Sequence, residues 1–331
     1  MKKAIYIFLS VVLLSGILLA WFLLPFAANL NETSSPISIY IDTDDTQDSV
    51  MIKVGSPRRW NLLDRFWGTK LRTGHYTIQP QETMIEVYRK LRNGLQTPVN
   101  ITIPQSRTMD MLAGYLSRRL MLDSAQVAGA FRDTSYCARL GYTPQTLPAL
   151  FVPNTYQMWW NISLDKFMER MKKENAEFWN AERMAKAAEL GLSREEVVTL
   201  ASIVAEETAY VPEMPKVAGM YIRRLQIGMP LQADPTVKFA LGDFSLRRIY
   251  HAHLQVESPY NTYINRGLPP GPIRIPSIKA VDAVLNQEQH GYLYMCAKED
   301  FSGSHNFAKT YSEHQANARR YSRALNSRGI R

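Results

Sequence analysis

The sequence predicts an α+β protein in three parts: an N-terminal transmembrane helix, a small α+β module and a mostly helical α+β domain. Three observations carry this. The chain opens on a long apolar run without charge, period-two segments flank one helical segment between residues 37 and 104, and helical spacing dominates from Thr108 onward. At 331 residues the chain exceeds one average domain. A hydrophobic share of 46% with 11% aromatics supplies a sizeable core and excludes a disordered chain.

The opening run is residues 4–28, 25 positions without formal charge behind Lys2 and Lys3. As a helix it extends roughly 37 Å, enough to cross a hydrocarbon core of about 30 Å with some tilt. Lysines on its N-terminal side alone place residues 1–3 in the cytoplasm and everything from Asn29 onward outside. Trp21 suits an interfacial aromatic. A cleaved signal peptide is the competing reading, but its apolar core runs only about 7–15 residues before an Ala-x-Ala-like site, and Phe26-Ala27-Ala28 is a poor version of that site. Either reading exports the protein.

Residues 29–36 form a short polar linker ending in Ser34-Ser35-Pro36. In 37–104, Ile37–Ile41 and Gly74–Ile78 read as strands, Met84, Ile85, Val87, Tyr88 and Leu91 follow helical spacing, Asn93-Gly94 breaks it, and Val99–Ile103 alternates again. From 105 to 331 helices are expected over Met109–Leu120, Ala125–Phe131, Phe167–Trp179, Ala181–Leu190 and Lys216–Leu225, with a loop around Pro153-Asn154-Thr155-Tyr156.

The formal charge is +9 and the pI about 9.4. A basic balance suits nucleic acid, a membrane surface or an acidic polymer. No nucleic-acid motif is present and the basic residues are dispersed, which argues against a nucleic-acid partner. Cys137 and Cys296 form no CxxC pair and no metal-ligand spacing; a disulfide and two buried thiols both stay open. Nothing calls for a metal or an organic cofactor.

The segment with the most chemistry starts at Ser193-Arg194-Glu195-Glu196, a capping box that opens a helix. Val197, Leu200, Ile203 and Val204 give it an apolar stripe. Glu207 lies three residues beyond Val204, four beyond Ile203 and seven beyond Leu200, which puts its carboxyl on that stripe, whereas Glu206 falls on the polar side. A carboxyl on an apolar face has its charged form disfavoured and its pKa raised, as protonation of a glycosidic oxygen requires. Spacing alone also allows a helix-terminal glutamate that reaches the stripe through fraying.

Thr199–Thr208, Gly228-Met229-Pro230-Leu231-Gln232-Ala233-Asp234-Pro235-Thr236-Val237, Ser258-Pro259-Tyr260-Asn261-Thr262-Tyr263 and Gly267-Leu268-Pro269-Pro270-Gly271-Pro272-Ile273 resemble, in order and spacing, the motifs of the endolytic murein transglycosylases, the MltG/YceG-like family. Gly74-His75-Tyr76 resembles the G-x-Y of that family's LysM-like module, and Thr102-Ile103-Pro104 the strand leading out of it. Pro153-Asn154-Thr155-Tyr156 stands where P-D-T-Y is usual, and His305-Asn306-Phe307 resembles an H-x-F element. The resemblance spans Ile37–Leu325 and implies a LysM-like module over 37–104 and a YceG-like catalytic domain over 105–331.

It further implies a lyase that cleaves the bond between N-acetylmuramic acid (MurNAc) and N-acetylglucosamine (GlcNAc) in peptidoglycan, leaving 1,6-anhydroMurNAc ends through one glutamate acting as acid and then base. By motif that glutamate is Glu207, with Glu206 the rival. Ala205 stands where the motif often carries another glutamate, and Asn154 replaces an aspartate, so neither position supplies an essential acid here. Gln232, Asp234, Tyr260, Asn261 and Tyr263 are the expected substrate-binding residues. Asp234 as a helix cap, Tyr263 as core and His305 as a structural histidine are the plainer alternatives. Other expected partners are the membrane and proteins of wall synthesis. A non-catalytic wall-binding protein and a hydrolytic muramidase using Glu207 with Asp234 are the competing functions.

Overall fold

The computed structural model describes residues 2–27, 34–55, 71–246 and 248–329. Within them the fold is the expected helix-rich α+β mixture. The expected linker 29–36 lies outside the described residues up to residue 33, as do Met1 and Ala28 and the side chain of Trp21.

The chain begins in a 26-residue helix, α1 (Lys2–Ala27). Its described apolar side chains, Ile5, Phe8, Leu9, Val12, Leu13 and Ile17 among them, are exposed. Among the described residues no helix is long and apolar enough to cross a membrane, so the transmembrane part of the expectation is not established by the fold.

Two compact units are present. The first holds residues 1–101 with two later segments, 118–122 and 157–162. Strand β1 (Ile37–Ile41) pairs antiparallel with β2 (Gly74–Ile78), Ile37 opposite Ile78 and Ile41 opposite Gly74. Helices α2 (Gln47–Val54) and α3 (Met84–Asn93) complete it. α3 starts in a capping box of Thr83 with Glu86 and stops at Gly94, whose φ of 68° is the left-handed conformation a helix end needs. Val50, Met51, Tyr76, Ile78, Met84, Val87, Tyr88 and Leu91 form its core. Asn161, from the second late segment, donates to Thr73 O at 2.9 Å and accepts from Gln96 Nε2 at 3.0 Å. The chain passes between units in β3 (Val99–Thr102) and β4 (Thr155–Met158).

The second unit carries α4 (Met109–Ser117), α5 (Ser124–Arg132), α6 (Thr134–Leu140), α7 (Leu164–Phe178), α8 (Ala181–Glu189), α9 (Arg194–Glu207), α10 (Met214–Gln226), α11 (Asp234–Leu241), α12 (Ile278–Leu285), the hairpin β5 (Tyr294–Ala297) and β6 (His305–Ala308), and α13 (Tyr311–Ser327). The expected helices are present with shifted ends. The first stops at Ser117 rather than Leu120, α7 starts at Leu164 because Ser163 caps it, and Thr155 begins a strand where a loop was expected.

α9 is the axis of this unit. Ser193 and Glu196 close the expected capping box. The stripe expected from spacing understates its burial, because every residue from Val197 to Val204 is buried. The helix packs among α8, α10 and α12 in a core that includes Val217, Ala218, Tyr221, Ile273, Val281 and Val284. Its two buried hydroxyls are satisfied locally, Thr199 donating to Glu195 O and Ser202 to Thr199 O, each at 2.7 Å. Ser202 Oγ also accepts from Ile273 N at 3.0 Å, fixing the Pro269–Pro272 loop against the helix. Both cysteine thiols are free.

Candidate active site

Glu207 is the last residue of α9; at Thr208 the backbone turns extended (φ −139°, ψ 134°). The glutamate therefore emerges where a buried helix ends, and its carboxyl lines a cavity of about 320 Å³. Met220, Tyr221 and Arg224 of α10, Leu231, Gln232, Asp234 and Tyr263 line it together with Tyr294 and Met295 of β5 and Tyr311 and His314 of α13.

Burial governs the electrostatics. Protein surrounds the Glu207 carboxyl and pushes its pKa up to about 7, chiefly by desolvation, with the nearby Asp234 charge adding to the rise. Tyr221, Arg224 and Lys238 act in the opposite direction. The residue as a whole keeps partial exposure, and that open side faces the cavity. Its position at a helix C-terminus, where the macrodipole disfavours an anion, works in the same direction as burial. Tyr221 Oη donates to Glu207 Oε1 at 2.6 Å, which fixes the carboxyl and leaves Oε2 for the proton. Burial and the adjoining carboxyl drive the phenol's own pKa well up, so Tyr221 remains a donor.

Of the five expected binding residues, three line the cavity. Gln232 takes a left-handed backbone (φ 51°), its N–H donating to Thr262 O at 3.1 Å. Asp234 opens α11 without capping it. Its Oδ1 instead accepts from Tyr263 Oη at 2.5 Å, so Tyr263 is a wall of the cavity rather than core. The other two lie away from it. Tyr260 packs on Phe239, ring centroids 4.7 Å apart, and does not line the cavity. Asn261 is fully buried, its amide donating to Leu254 O and Val256 O at 2.8 and 2.9 Å and its Oδ1 accepting from Tyr263 N. It builds the turn that presents Tyr263, and Thr262 anchors the Gln232–Asp234 strip through Ala233 N at 3.0 Å.

Glu206 is not on an open polar face. Arg107 forks onto it, Nε to Oε1 and Nη2 to Oε2, both 3.1 Å, and Arg274 Nη1 reaches Oε1 at 2.6 Å. His305 is structural: its ring Nδ1 and backbone N–H both meet the buried Glu213 carboxylate at 2.8 Å.

Tyr221, Arg224, Tyr294, Tyr311 and His314 escaped the sequence reading. Arg224 had a signal of the kind that marked Glu207: it follows Val217 by seven residues and Tyr221 by three, a charge on the buried face of α10. Among the described residues no group of three or more His, Cys, Asp or Glu side chains is placed to hold a metal ion.

Residues 46–320 match the YceG-like family, and the chain belongs to it. It is similar to an endolytic murein transglycosylase of Bacillus subtilis, 37% identical over 137 residues, which is 41% of this chain and 37% of that protein. A Streptococcus pneumoniae protein of the same name is 26% identical over 282 residues, 75% of this chain. This chain spans half the length of that relative. A crystal structure of a yceG-like protein from Listeria monocytogenes shares the fold, with a TM-score of 0.60 at 24% identity over 86% of this chain and 99% of that one.

Proposed function

We propose that this protein is an exported, membrane-anchored lytic transglycosylase that cleaves the MurNAc–GlcNAc bond of peptidoglycan strands endolytically and leaves 1,6-anhydroMurNAc ends. The observation that carries the reading is the Glu207 carboxyl, desolvated to a pKa of about 7, held by Tyr221 and open to a cavity large enough for sugar. The names of the two relatives point the same way.

The protonated Glu207 gives its proton to the glycosidic oxygen as the bond from MurNAc C1 to that oxygen breaks. Positive charge then develops at C1, beside the carboxylates of Glu207 and Asp234. The muramyl 6-hydroxyl attacks its own C1 and passes its proton to the Glu207 carboxylate, restoring the starting acid without consuming water. Because the nucleophile belongs to the substrate, proximity replaces a second catalytic carboxylate. Tyr263 keeps Asp234 oriented, and Gln232, Tyr294 and Tyr311 offer hydrogen bonds and ring faces to sugars.

The same reading assigns residues 1–3 to the cytoplasm, 4–28 to a single-pass anchor, 29–36 to a linker, 37–104 to a LysM-like wall-binding module and 105–331 to the catalytic domain, outside the cytoplasmic membrane and near wall-synthesis proteins. The exposed apolar side chains of α1 support the anchor. Asp234 in the same cavity supports one second reading, a hydrolytic muramidase with Asp234 activating water. Mass spectrometry of muropeptides released from purified glycan strands tests both. Anhydro ends are expected; reducing ends would replace the transglycosylase by the hydrolase, and no cleavage would leave wall binding alone.

A further inference from the structure

Arg224 is a buried cation without a counter-ion. It is 6% exposed and lies on α10 one turn beyond Tyr221, the residue that holds Glu207. Every acceptor it meets is neutral. Nε donates to Leu293 O at 2.6 Å; Nη1 donates to Leu231 O at 2.7 Å, Pro230 O at 3.1 Å and Gln232 Oε1 at 3.3 Å. The guanidinium also lies over the Tyr294 ring, 5.4 Å from its centroid. Among the described residues no carboxylate comes within 4.0 Å of it. Nη2 finds no acceptor among them, and it is not one of the buried polar atoms sealed without a partner. Arg224 is a lining residue of the cavity that contains Glu207.

Three backbone carbonyls and the Gln232 amide oxygen thus fix the guanidinium. Among the described residues Nη2 stays without an acceptor and no carboxylate pairs with its charge at contact distance, Glu207 acting on it only through space. A buried cation favours an anion, and one held in place before the ligand arrives loses little freedom on binding. A glycan strand of MurNAc and GlcNAc is neutral except at carboxylates. These occur on the lactyl ether of a muramyl residue lacking its peptide, or within a stem peptide where one is attached.

Resting on the transglycosylase reading, we propose that Arg224 is a specificity residue, its free Nη2 edge receiving a substrate carboxylate beside the bond to be cut. Occupation of that site cancels the positive charge that opposes protonation of Glu207, so the bound carboxylate also favours the acid form of the catalyst.

Binding, which does not depend on cleavage, provides the test. Three MurNAc-containing oligosaccharides are titrated calorimetrically into the full chain: one with a free lactyl carboxylate, one with that carboxylate converted to its methylamide, and one carrying a stem peptide with free carboxylates. Charge-assisted hydrogen bonds of this kind predict roughly tenfold tighter binding of a carboxylate form than of the methylamide. Preference for the first oligosaccharide alone assigns the lactyl group, and tight binding of the third assigns the peptide. In Arg224→Gln the preference falls to about one. Arg224 also pins backbone carbonyls, so Arg224→Lys, which keeps the charge, is measured beside it and retains a reduced preference. A loss of packing alone would weaken all three ligands equally and leave their ratios unchanged. Equal binding of carboxylate and methylamide by the native chain overturns the proposal, as does a preference that persists in Arg224→Gln. Anhydro products formed by that same preparation would show that the transglycosylase reading survives such a failure.

Discussion

Glu206 and Glu207 are consecutive residues at the end of α9, and the protein treats them as opposites. Glu206 sits beside a cavity of about 40 Å³ lined by Arg107, Pro235, Lys238, Phe239, Phe244 and Ile273. Two arginines hold it from separate segments, and Arg107 in turn lies over the Phe244 ring at 5.3 Å. Glu207 faces a cavity of about 320 Å³ and has one close partner, a neutral phenol. A carboxylate gripped by two guanidinium groups joins pieces of chain. One surrounded by apolar groups and a phenol keeps its proton near neutral pH. The peptide chemistry is identical; position around the helix decides which glutamate is tied to arginines and which faces the larger cavity with a raised pKa.

The largest expected effect separates the two residues directly. Glu207→Gln removes the proposed proton donor and keeps the acceptor for Tyr221, so release of anhydro-muropeptides from glycan strands should fall at least about 100-fold, the scale of general acid–base catalysis. Glu206→Gln leaves the cavity walls in place and should stay within about tenfold of the native rate. Chromatographic product yields measure both. Comparable losses in the two variants would erase the distinction drawn between them.

Much of this contrast was legible in residue spacing. Three, four and seven residues beyond an apolar series locate Glu207, and the Ser193–Glu196 box locates the helix start. The burial of α9 on all sides was equally available, since residues 197–205 contain no charge, but a stripe is the commoner pattern and was read instead. What spacing could not reveal is where distant segments return. Arg107 lies 99 residues before Glu206 and Arg274 lies 68 after it, so the fate of Glu206 depends on tertiary contacts. Tyr294, Tyr311 and His314 reach the cavity for the same reason, through a hairpin and a terminal helix. Asn261 shows the limit of motif reading, since a position fixed by folding looks the same in sequence as one fixed by substrate. Its amide is spent on two backbone carbonyls.

Stability sharpens the comparison in the opposite direction. Glu206→Gln strands the charges of Arg107 and Arg274 in partly buried positions and should lower the unfolding free energy by about 1–3 kcal/mol. For Glu207 the folded pKa of about 7 lies above the unfolded value near 4.5. The native state then binds the extra proton between those values, and stability falls as pH rises through that window. At pH 8 the native protein bears the full cost of the buried charge. Glu207→Gln should relieve it by on the order of 1–3 kcal/mol, less where the cavity admits water, and by little at pH 4. Denaturant midpoints at the two pH values measure both variants. A Glu207→Gln protein less stable than native at pH 8 would mean that its carboxylate is solvated.

The finest distinction lies within the Glu207 cavity, where two neighbours act on one carboxyl in opposite senses. In the proposed mechanism cleavage needs the acid form first, so kcat/KM should decline as pH rises through about 7. Tyr221 favours the carboxylate by donating to it, and Asp234 disfavours it by like charge. Tyr221→Phe should therefore move the alkaline limb to higher pH, and Asp234→Asn should move it to lower pH. A purely structural role for either residue would change the height of the profile and leave the limb in place. Limbs that shift the same way in both variants would refute the opposition between phenol and carboxylate that tunes this site.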